Sequence, residues 1–102
     1  MNVITRRRLR FWGDQYPDAR PSLQAWYAVA KKARWLNLAQ VRADFPTADG
    51  VVVQSGSVVT VFNIRGNNYR MITAVHYDKA RVYLLRFLTH GEYDKAKWKV
   101  QL

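Results

Sequence analysis

The sequence predicts an α+β fold, in which an N-terminal short strand and two to three helices pack on a C-terminal antiparallel sheet of three to four strands. Residues 5–45 repeat apolar side chains at helical spacing, whereas residues 58–94 alternate apolar and polar positions between turn signals. The chain has 102 residues, of which 49% are hydrophobic. That size supports one core and no second, so a single domain over residues 1–102 is expected.

Charge is the strongest compositional signal. Seventeen Lys and Arg face seven Asp and Glu, giving a net charge of +10. This excess predicts a polyanionic partner, namely nucleic acid, a ribosome surface or an acidic protein. The chain has no Cys and two His, so neither a metal site nor a cofactor is expected. No apolar run approaches a membrane span and the basic start lacks an apolar signal region, which predicts a cytoplasmic protein without a membrane partner.

Capping signals divide the first half of the chain into elements. Met1–Ile4 is a β-prone run and is expected to form an edge strand. Thr5 is expected to cap a helix that Pro17 ends, Asp18 a second helix and Asn37 a third. The second helix carries one apolar face, made of Leu23, Trp26, Tyr27, Ala30 and Ala33.

Basic residues on these helices have two interpretations. The run Arg6, Arg7, Arg8 and Arg10 is either a solvated helix face or a surface that contacts phosphates. Lys31 and Lys32 suit the negative end of the second helix dipole, and they are also candidates for RNA binding.

A hairpin is predicted around Gly66-Asn67, two residues that tolerate positive φ, after a possible short strand at Val51–Val53. The turn sets a register in which Asn63 lies opposite Arg70 on one face of the sheet.

The next turn decides where the remaining polar residues lie. A three-residue loop at 78–80 places Arg86 opposite Ile72 and His90 opposite Asn68. A loop of two or four residues turns Arg86 and His90 to the other face, because a slip of one residue reverses every side chain. The three-residue loop, which has an odd number of residues, is preferred because it gathers the polar residues beside Arg70. It leaves the opposite face to Tyr83, Leu85 and Phe87.

Several segments together resemble the HigB family of bacterial type II toxins, in the RelE/ParE-like superfamily. They are RRRL at 6–9, AWYAVAKKARW at 25–35, Phe45-Pro46, VFNIRGNNYR at 61–70 and LTHGEYDKAKW at 88–98. The resemblance implies a ribosome-dependent mRNA endonuclease. It also implies a hetero-oligomer with a HigA-like helix-turn-helix antitoxin that keeps the toxin inactive.

Metal-independent RNA cleavage needs a base for the 2′-hydroxyl proton, an acid for the leaving 5′-oxygen and a cation for the phosphoryl oxygens. Arg70 is the candidate phosphate clamp, since a guanidinium matches two phosphate oxygens. His90 is the candidate for proton transfer because histidine titrates near neutrality. His76 is assigned no role.

Other polar residues near Arg70 and His90 are also candidates for the site. Tyr93 either contacts the RNA or packs against other apolar side chains. Arg86 is a second charge stabiliser if the loop at 78–80 has three residues. Glu92 is either a general base or the ion-pair partner of a nearby lysine. The residues expected to contact ribose or the RNA backbone are Asn63, Asn68, Lys95, Lys97 and Lys99.

Two other functions remain open. One is a non-catalytic basic module that binds RNA or the ribosome, and the other is a ParE-like inhibitor of DNA gyrase. The HGEYD segment at 90–94 favours the nuclease, because a pure interaction surface does not need a histidine and a tyrosine beside strand-borne arginines.

Overall fold

The computed structural model describes residues 1–102, and three of its five helices lie between the first strand and the other four. The helices are α1 (Arg6–Gln15), α2 (Arg20–Ala30), α3 (Leu38–Asp44), α4 (His90–Asp94) and α5 (Trp98–Gln101). The strands are β1 (Asn2–Ile4), β2 (Asp49–Val52), β3 (Val58–Ile64), β4 (Tyr69–His76) and β5 (Arg81–Thr89). None of the helices is long and apolar enough to cross a membrane.

All five strands form one sheet, in the order β1-β5-β4-β3-β2. The expected α+β class is confirmed, but the expected sheet of three to four antiparallel strands is wrong on two points. The sheet has five strands, and β1 runs parallel to β5. Strand direction at an edge depends on where the chain enters the sheet, which no local pattern encodes. Strand β2 begins at Asp49, two residues before the predicted strand, because Asp49 and Gly50 pair with β3 despite their low strand propensity.

The first three helices cover one face of the sheet, here called the helical face. Its core joins Trp26 and Trp35 to Phe62 of β3, and all three side chains are buried. Trp26 meets Phe62 edge-on with ring centroids 5.4 Å apart. The Trp35 indole donates to Asp44 at 2.8 Å, which satisfies its only polar atom.

Helix boundaries follow the predicted caps in part. Asn37 caps α3, its side-chain oxygen accepting from the Gln40 amide at 3.0 Å. Thr5 is the N-cap of α1 without a side-chain hydrogen bond. Asp18 does not cap α2, because a single 3₁₀ turn at Pro17–Ala19 precedes the helix and Asp18 accepts instead from the Tyr69 hydroxyl at 2.8 Å. Ala33 lies beyond the end of α2.

The first hairpin has the predicted register, with Asn63 opposite Arg70. Its turn differs in detail, since the positive φ angles fall at Arg65 (53°) and Gly66 (61°) and not at Asn67. Asn67 is thereby free to bind Arg70, as described below.

The second connection has four residues, not three, because His76 pairs with Arg81. A register shift between Ile72 and Thr73 leaves Leu85 as an extra residue on β5. This β-bulge reverses the effect of the longer loop, so Arg86 still lies opposite Ile72. The predicted loop length is therefore wrong, while the register predicted for Arg86 is confirmed.

Because of the bulge, the three residues predicted to share the opposite face of β5 do not all lie on that face. Phe87 is buried in the core of the helical face, as predicted. Leu85 instead packs with the small cluster of Val61, Ile72 and Trp98 on the other side of the sheet. Tyr83 shares that side with Leu85, because it alternates with the core residues on either side of it. This second side of the sheet is called the Arg70 face below.

The chain changes from strand to helix at the end of β5. The strand ends at Thr89, and His90, which was predicted to extend it opposite Asn68, is instead the first residue of α4. Thr89 and Glu92 form a capping box, which stabilises this abrupt start. The tail then forms two short helices, and α5 places Trp98 over the Arg70 face.

Candidate active site

Arg70 is a buried cation in the middle of the Arg70 face, only 8% exposed. Strand pairing puts Asn63 beside it on β3 and Leu88 beside it on β5. A charge at such a position must be hydrogen-bonded, because transferring an unpaired ion out of water is costly. Its surroundings therefore define how the site is built.

Acceptors from two segments surround the Arg70 guanidinium. Nη1 donates to the carbonyls of Asn67 at 3.0 Å and Tyr69 at 3.1 Å. Nη2 donates to the Asn67 side-chain oxygen and to Nδ1 of His90, at 3.2 Å. The turn of the first hairpin thus orients the guanidinium, and the start of α4 completes its coordination.

His90 lies between Arg70 and a carboxylate. Its Nε2 is 3.0 Å from Oδ2 of Asp94, one helical turn further along α4. A guanidinium has only donors, so Nδ1 must be the acceptor and the ring hydrogen of the neutral imidazole resides on Nε2. About half of the His90 side chain (47%) is exposed, so substrate can reach the ring.

Tyr93 underlies this pair. The Arg70 guanidinium lies over the Tyr93 ring, 5.5 Å from its centroid, and Trp98 stacks on the same ring with centroids 5.2 Å apart. The Trp98 indole donates to the Tyr93 carbonyl at 3.1 Å. Burial, followed by the charge of Asp49, raises the pKa of the Tyr93 hydroxyl despite the opposing effect of Arg70. That hydroxyl therefore stays protonated at neutral pH.

Glu92 belongs to the capping box. Its carboxylate accepts from the Thr89 amide at 3.0 Å, while the Thr89 hydroxyl accepts from the Glu92 amide at 3.2 Å. It makes no ion pair with Lys95 or Lys97, contrary to one of the two expectations for it. Its contacts are those of a residue that starts a helix.

The remaining polar candidates lie around the site. Arg86 is half-buried on the Arg70 face and donates to its own neighbour, the Leu85 carbonyl, at 2.8 Å. The Asn68 carbonyl accepts from the His90 amide at 2.9 Å, so Asn68 lies opposite His90 as predicted. Asn63 is half-buried opposite Arg70.

The lysines fall into two groups. Lys95 and Lys97 are exposed in the connection between α4 and α5, and Lys99 lies over the Trp98 ring at 5.8 Å. These three border the site. Lys31 and Lys32 follow α2 in the helical layer, so the sheet separates them from Arg70.

Three contributors to the site were missed in the sequence. Asn67 was predicted only as a turn residue, and Trp98 was not among the candidates. Asp94 was signalled by its spacing, because a carboxylate four residues after a histidine faces it on a helix. That signal was overlooked because the segment was expected to be strand up to His90.

No group of three or more His, Asp and Glu side chains is arranged to hold a metal ion. The site combines the Arg70 cation with neutral acceptors from Asn67 and His90 and with one carboxylate, Asp94. Such a set suits an anionic ligand, and it offers a proton acceptor at His90 Nδ1 once that atom is released from Arg70.

The chain is thus a small α+β protein whose sheet is covered by helices on one side and carries a buried arginine beside a histidine on the other. The family described as "HigB_toxin, RelE-like toxic component of a toxin-antitoxin system" matches residues 19–96. The chain belongs to this HigB toxin family.

Named relatives agree with the family assignment. The "mRNA interferase toxin HigB" of Escherichia coli (strain K12) is 28% identical over 94 residues, which cover 92% of this chain and 88% of that protein. The "mRNA interferase HigB" of Escherichia coli O6:H1 is 25% identical over 95 residues, covering 93% of this chain and 90% of that protein. As a HigB-family toxin, the molecule has an antitoxin as its expected partner.

Proposed function

We propose that this toxin is an endoribonuclease that cleaves mRNA on the ribosome without a catalytic metal ion. The contact between Arg70 Nη2 and His90 Nδ1, with Asp94 on the other ring nitrogen, carries the proposal. It unites a phosphate-binding cation with a proton acceptor on an accessible face. The names of the relatives, which are mRNA interferases, support the choice of RNA as substrate.

Arg70 binds the scissile phosphate. All four Nη hydrogens have protein acceptors in the free protein, so an incoming phosphate oxygen must replace one of them. His90 Nδ1 is the acceptor that is most easily displaced, because it belongs to a separate segment and its ring is half exposed, whereas Asn67 and Tyr69 precede Arg70 by three residues and one residue in the same hairpin. Phosphate binding thereby frees the Nδ1 lone pair beside the substrate.

The freed Nδ1 then takes the proton of the neighbouring 2′-hydroxyl. The 2′-oxygen bonds to phosphorus and the bond from phosphorus to the 5′-oxygen breaks, which yields a 2′,3′-cyclic phosphate and a 5′-hydroxyl. The leaving oxygen departs on the opposite side of phosphorus and takes its proton from solvent. Asp94 stabilises the imidazolium, and Arg70 stabilises the added charge on the phosphoryl oxygens, more strongly because it is shielded from water.

Other residues supply RNA contacts in this proposal. Lys95, Lys97 and Lys99 border the site and attract the phosphate backbone without reading bases. Arg86 adds positive charge to the same face, and Asn63 and Asn68 lie within reach of ribose around Arg70. Glu92 and Tyr93 support the site structurally, through the capping box and the ring beneath Arg70.

The ribosome and the antitoxin complete the proposed system. Cleavage requires an unstacked strand presented to a shallow site, which the ribosome supplies when it holds a codon. A HigA-like antitoxin with a helix-turn-helix domain neutralises the toxin in a hetero-oligomer, and the net charge of +10 favours an acidic partner surface.

Transcript ends mapped after a brief pulse of expression test the function. We expect cuts inside reading frames, and the cut ends should carry a 5′-hydroxyl and a cyclic phosphate. The cuts should disappear when translation is blocked beforehand. An empty vector and Arg70→Ala serve as controls. DNA breaks and filamentation without mRNA cuts would instead identify a gyrase inhibitor, and arrest with intact mRNA and DNA would identify a non-catalytic binder.

A further inference from the structure

The β-bulge of β5 lies where the sheet loses its outer strand. Strand β1 pairs with β5 only as far as Ile4 opposite Tyr83. The bulged residue Leu85 follows two positions later, and β5 continues to Thr89. The outer edge of β5 therefore has no neighbouring strand at the bulge, and its backbone groups there need other partners.

Arg8 of α1 supplies that partner. Its Nη1 donates to the Leu84 carbonyl at 2.7 Å and to the Leu85 carbonyl at 3.1 Å. The Leu85 carbonyl also accepts from Arg86 Nη1 at 2.8 Å. Two guanidinium groups thus hold the carbonyl of the extra residue, one from the helical layer and one from the Arg70 face.

The bulge matters because it decides which residues reach Arg70. The four-residue connection before β5 would by itself turn Arg86 and the start of α4 to the helical face. The extra residue restores the register, so that Arg86 lies opposite Ile72 and His90 reaches Arg70. A change of register at Leu85 therefore moves His90 relative to Arg70.

We propose that Arg8 is a positioning residue for the candidate active site, acting from the helical layer through the bulge at Leu85. It holds the bulge in the one register that brings His90 within hydrogen-bonding distance of Arg70. As far as this concerns catalysis, it rests on the proposed nuclease function. The contact between Arg70 and His90 can be measured without any activity.

The other arginines of the run provide matched controls. Arg6 donates to the Tyr27 hydroxyl at 2.9 Å, within the helical layer. Arg7 and Arg10 are exposed on the same helix and make no side-chain hydrogen bond to the sheet. Replacing Arg7, Arg8 or Arg10 by Gln removes the same charge from the same helix, but only Arg8→Gln removes the bond to the bulge.

Nitrogen NMR of the His90 ring, recorded on the purified full chain, tests the proposal first. Expected for the parent chain, Arg7→Gln and Arg10→Gln, measured where the ring is neutral, is a protonated Nε2 beside Asp94 and a bare Nδ1 whose resonance carries the upfield shift of a hydrogen-bond acceptor. Expected for Arg8→Gln is a downfield shift of the Nδ1 resonance, because Nδ1 loses the hydrogen bond from Arg70 while Asp94 keeps the ring hydrogen on Nε2. If Arg8→Gln does not fold, Arg8→Lys is measured instead, and the same shift of the Nδ1 resonance is expected because an ammonium cannot span both carbonyls as a guanidinium does.

Single-turnover cleavage on programmed ribosomes is the second measurement. Arg8→Gln is expected to slow the chemical step by about ten- to a hundredfold, because a small misplacement of a catalytic group costs that much in rate. Its affinity for the ribosome should equal that of Arg7→Gln. An unchanged ring signature in the Arg8 variant overturns the proposal. Equal losses of affinity in all three variants, with normal chemistry, also overturn it and identify an electrostatic surface. If the parent chain cuts no RNA, the nuclease function fails, while the ring signature still decides the role of Arg8.

Discussion

Asp94 and His90 form an i, i+4 pair on α4, with Oδ2 of Asp94 3.0 Å from Nε2 of His90. The carboxylate holds the ring hydrogen on Nε2 and so directs the lone pair of Nδ1 toward Arg70. A helix of five residues begins abruptly after β5 to make this geometry, and the capping box at Thr89 starts it. The pair therefore links the end of the sheet to the chemistry proposed for it.

Replacing His90 by Ala is expected to slow the chemical step by about 10²- to 10⁴-fold, as the loss of a general base does. RNA binding should persist because Arg70 and the lysines remain. Asp94→Asn is expected to slow the same step by a smaller factor, and to add nothing in the His90→Ala background, because Asp94 acts through the ring. Single-turnover cleavage in reconstituted translation measures all three variants. Independent, additive losses would place Asp94 elsewhere in the mechanism.

Arg70→Ala is expected to abolish toxicity and to lower the cleavage rate by about 10²- to 10³-fold, as the loss of one charge-stabilising group in an active site does. Arg70→Lys should rescue little, because a point charge cannot satisfy acceptors from both the turn and α4. Growth arrest and cleavage are measured together with thermal unfolding. Arg81→Ala, at the exposed start of β5, is the matched control. A folded and fully toxic Arg70→Ala variant would refute the clamp.

Tyr93→Phe is expected to retain both cleavage and stability, because the ring contacts with Arg70 and Trp98 do not use the hydroxyl. Tyr93→Ala should lower the free energy of unfolding by about 1–3 kcal/mol, a common range for losing a half-buried aromatic side chain. Denaturant unfolding and cleavage assays separate the two effects. Loss of cleavage in a stable Tyr93→Phe variant would give the hydroxyl a direct chemical role.

Glu92→Gln is expected to remain active, since an amide oxygen can still accept from the Thr89 amide in the capping box. Glu92→Ala should destabilise the start of α4, with a cost of about 1 kcal/mol that is typical of a lost cap. Cleavage rates and unfolding free energies are compared for the two variants. If Glu92→Gln is inactive while it unfolds normally, the carboxylate acts as a base after all.

The hydrogen bond between Tyr69 and Asp18 is expected to make the stability of the chain depend on pH. The Tyr69 hydroxyl donates to the Asp18 carboxylate, and this hydrogen bond, with burial as the next cause, raises the pKa of Tyr69. The folded chain then holds this proton more tightly than the unfolded chain. The stabilisation is complete below the ordinary tyrosine pKa of about 10 and is lost as the pH rises through the higher folded value.

Unfolding measured between neutral and strongly alkaline pH tests this dependence. The parent chain should lose stability above pH ~10 more steeply than Tyr69→Phe, which lacks the titrating group. Asp18→Asn should flatten the decline in a similar way, because it removes the charge that holds the proton. Burial also raises the pKa of Tyr77 and Tyr93, so the decline should weaken without vanishing. Identical slopes in the parent and Tyr69→Phe would contradict the prediction.

Local patterns were enough to predict much of this molecule. The cap at Asn37, the burial of Trp26 and the pairing of Asn63 with Arg70 depend on side chains close together in the sequence or on hydrophobicity. The motif text around Arg70 and His90 was enough to indicate the family. Such features are predictable because turn chemistry, capping and apolar periodicity act over a few residues.

Three other features could not be predicted from local patterns. They are the bulge at Leu85, the parallel pairing of β1 with β5, and the contact of Arg8 in α1 with β5. Each depends on how separate segments meet, and a one-residue change in the connection before β5 would have been equally compatible with the local pattern. The amino-acid order specified which groups are present for chemistry. Whether Arg70, His90 and Asp94 share one face was settled by strand register, because register is a property of the assembled sheet and not of any single segment.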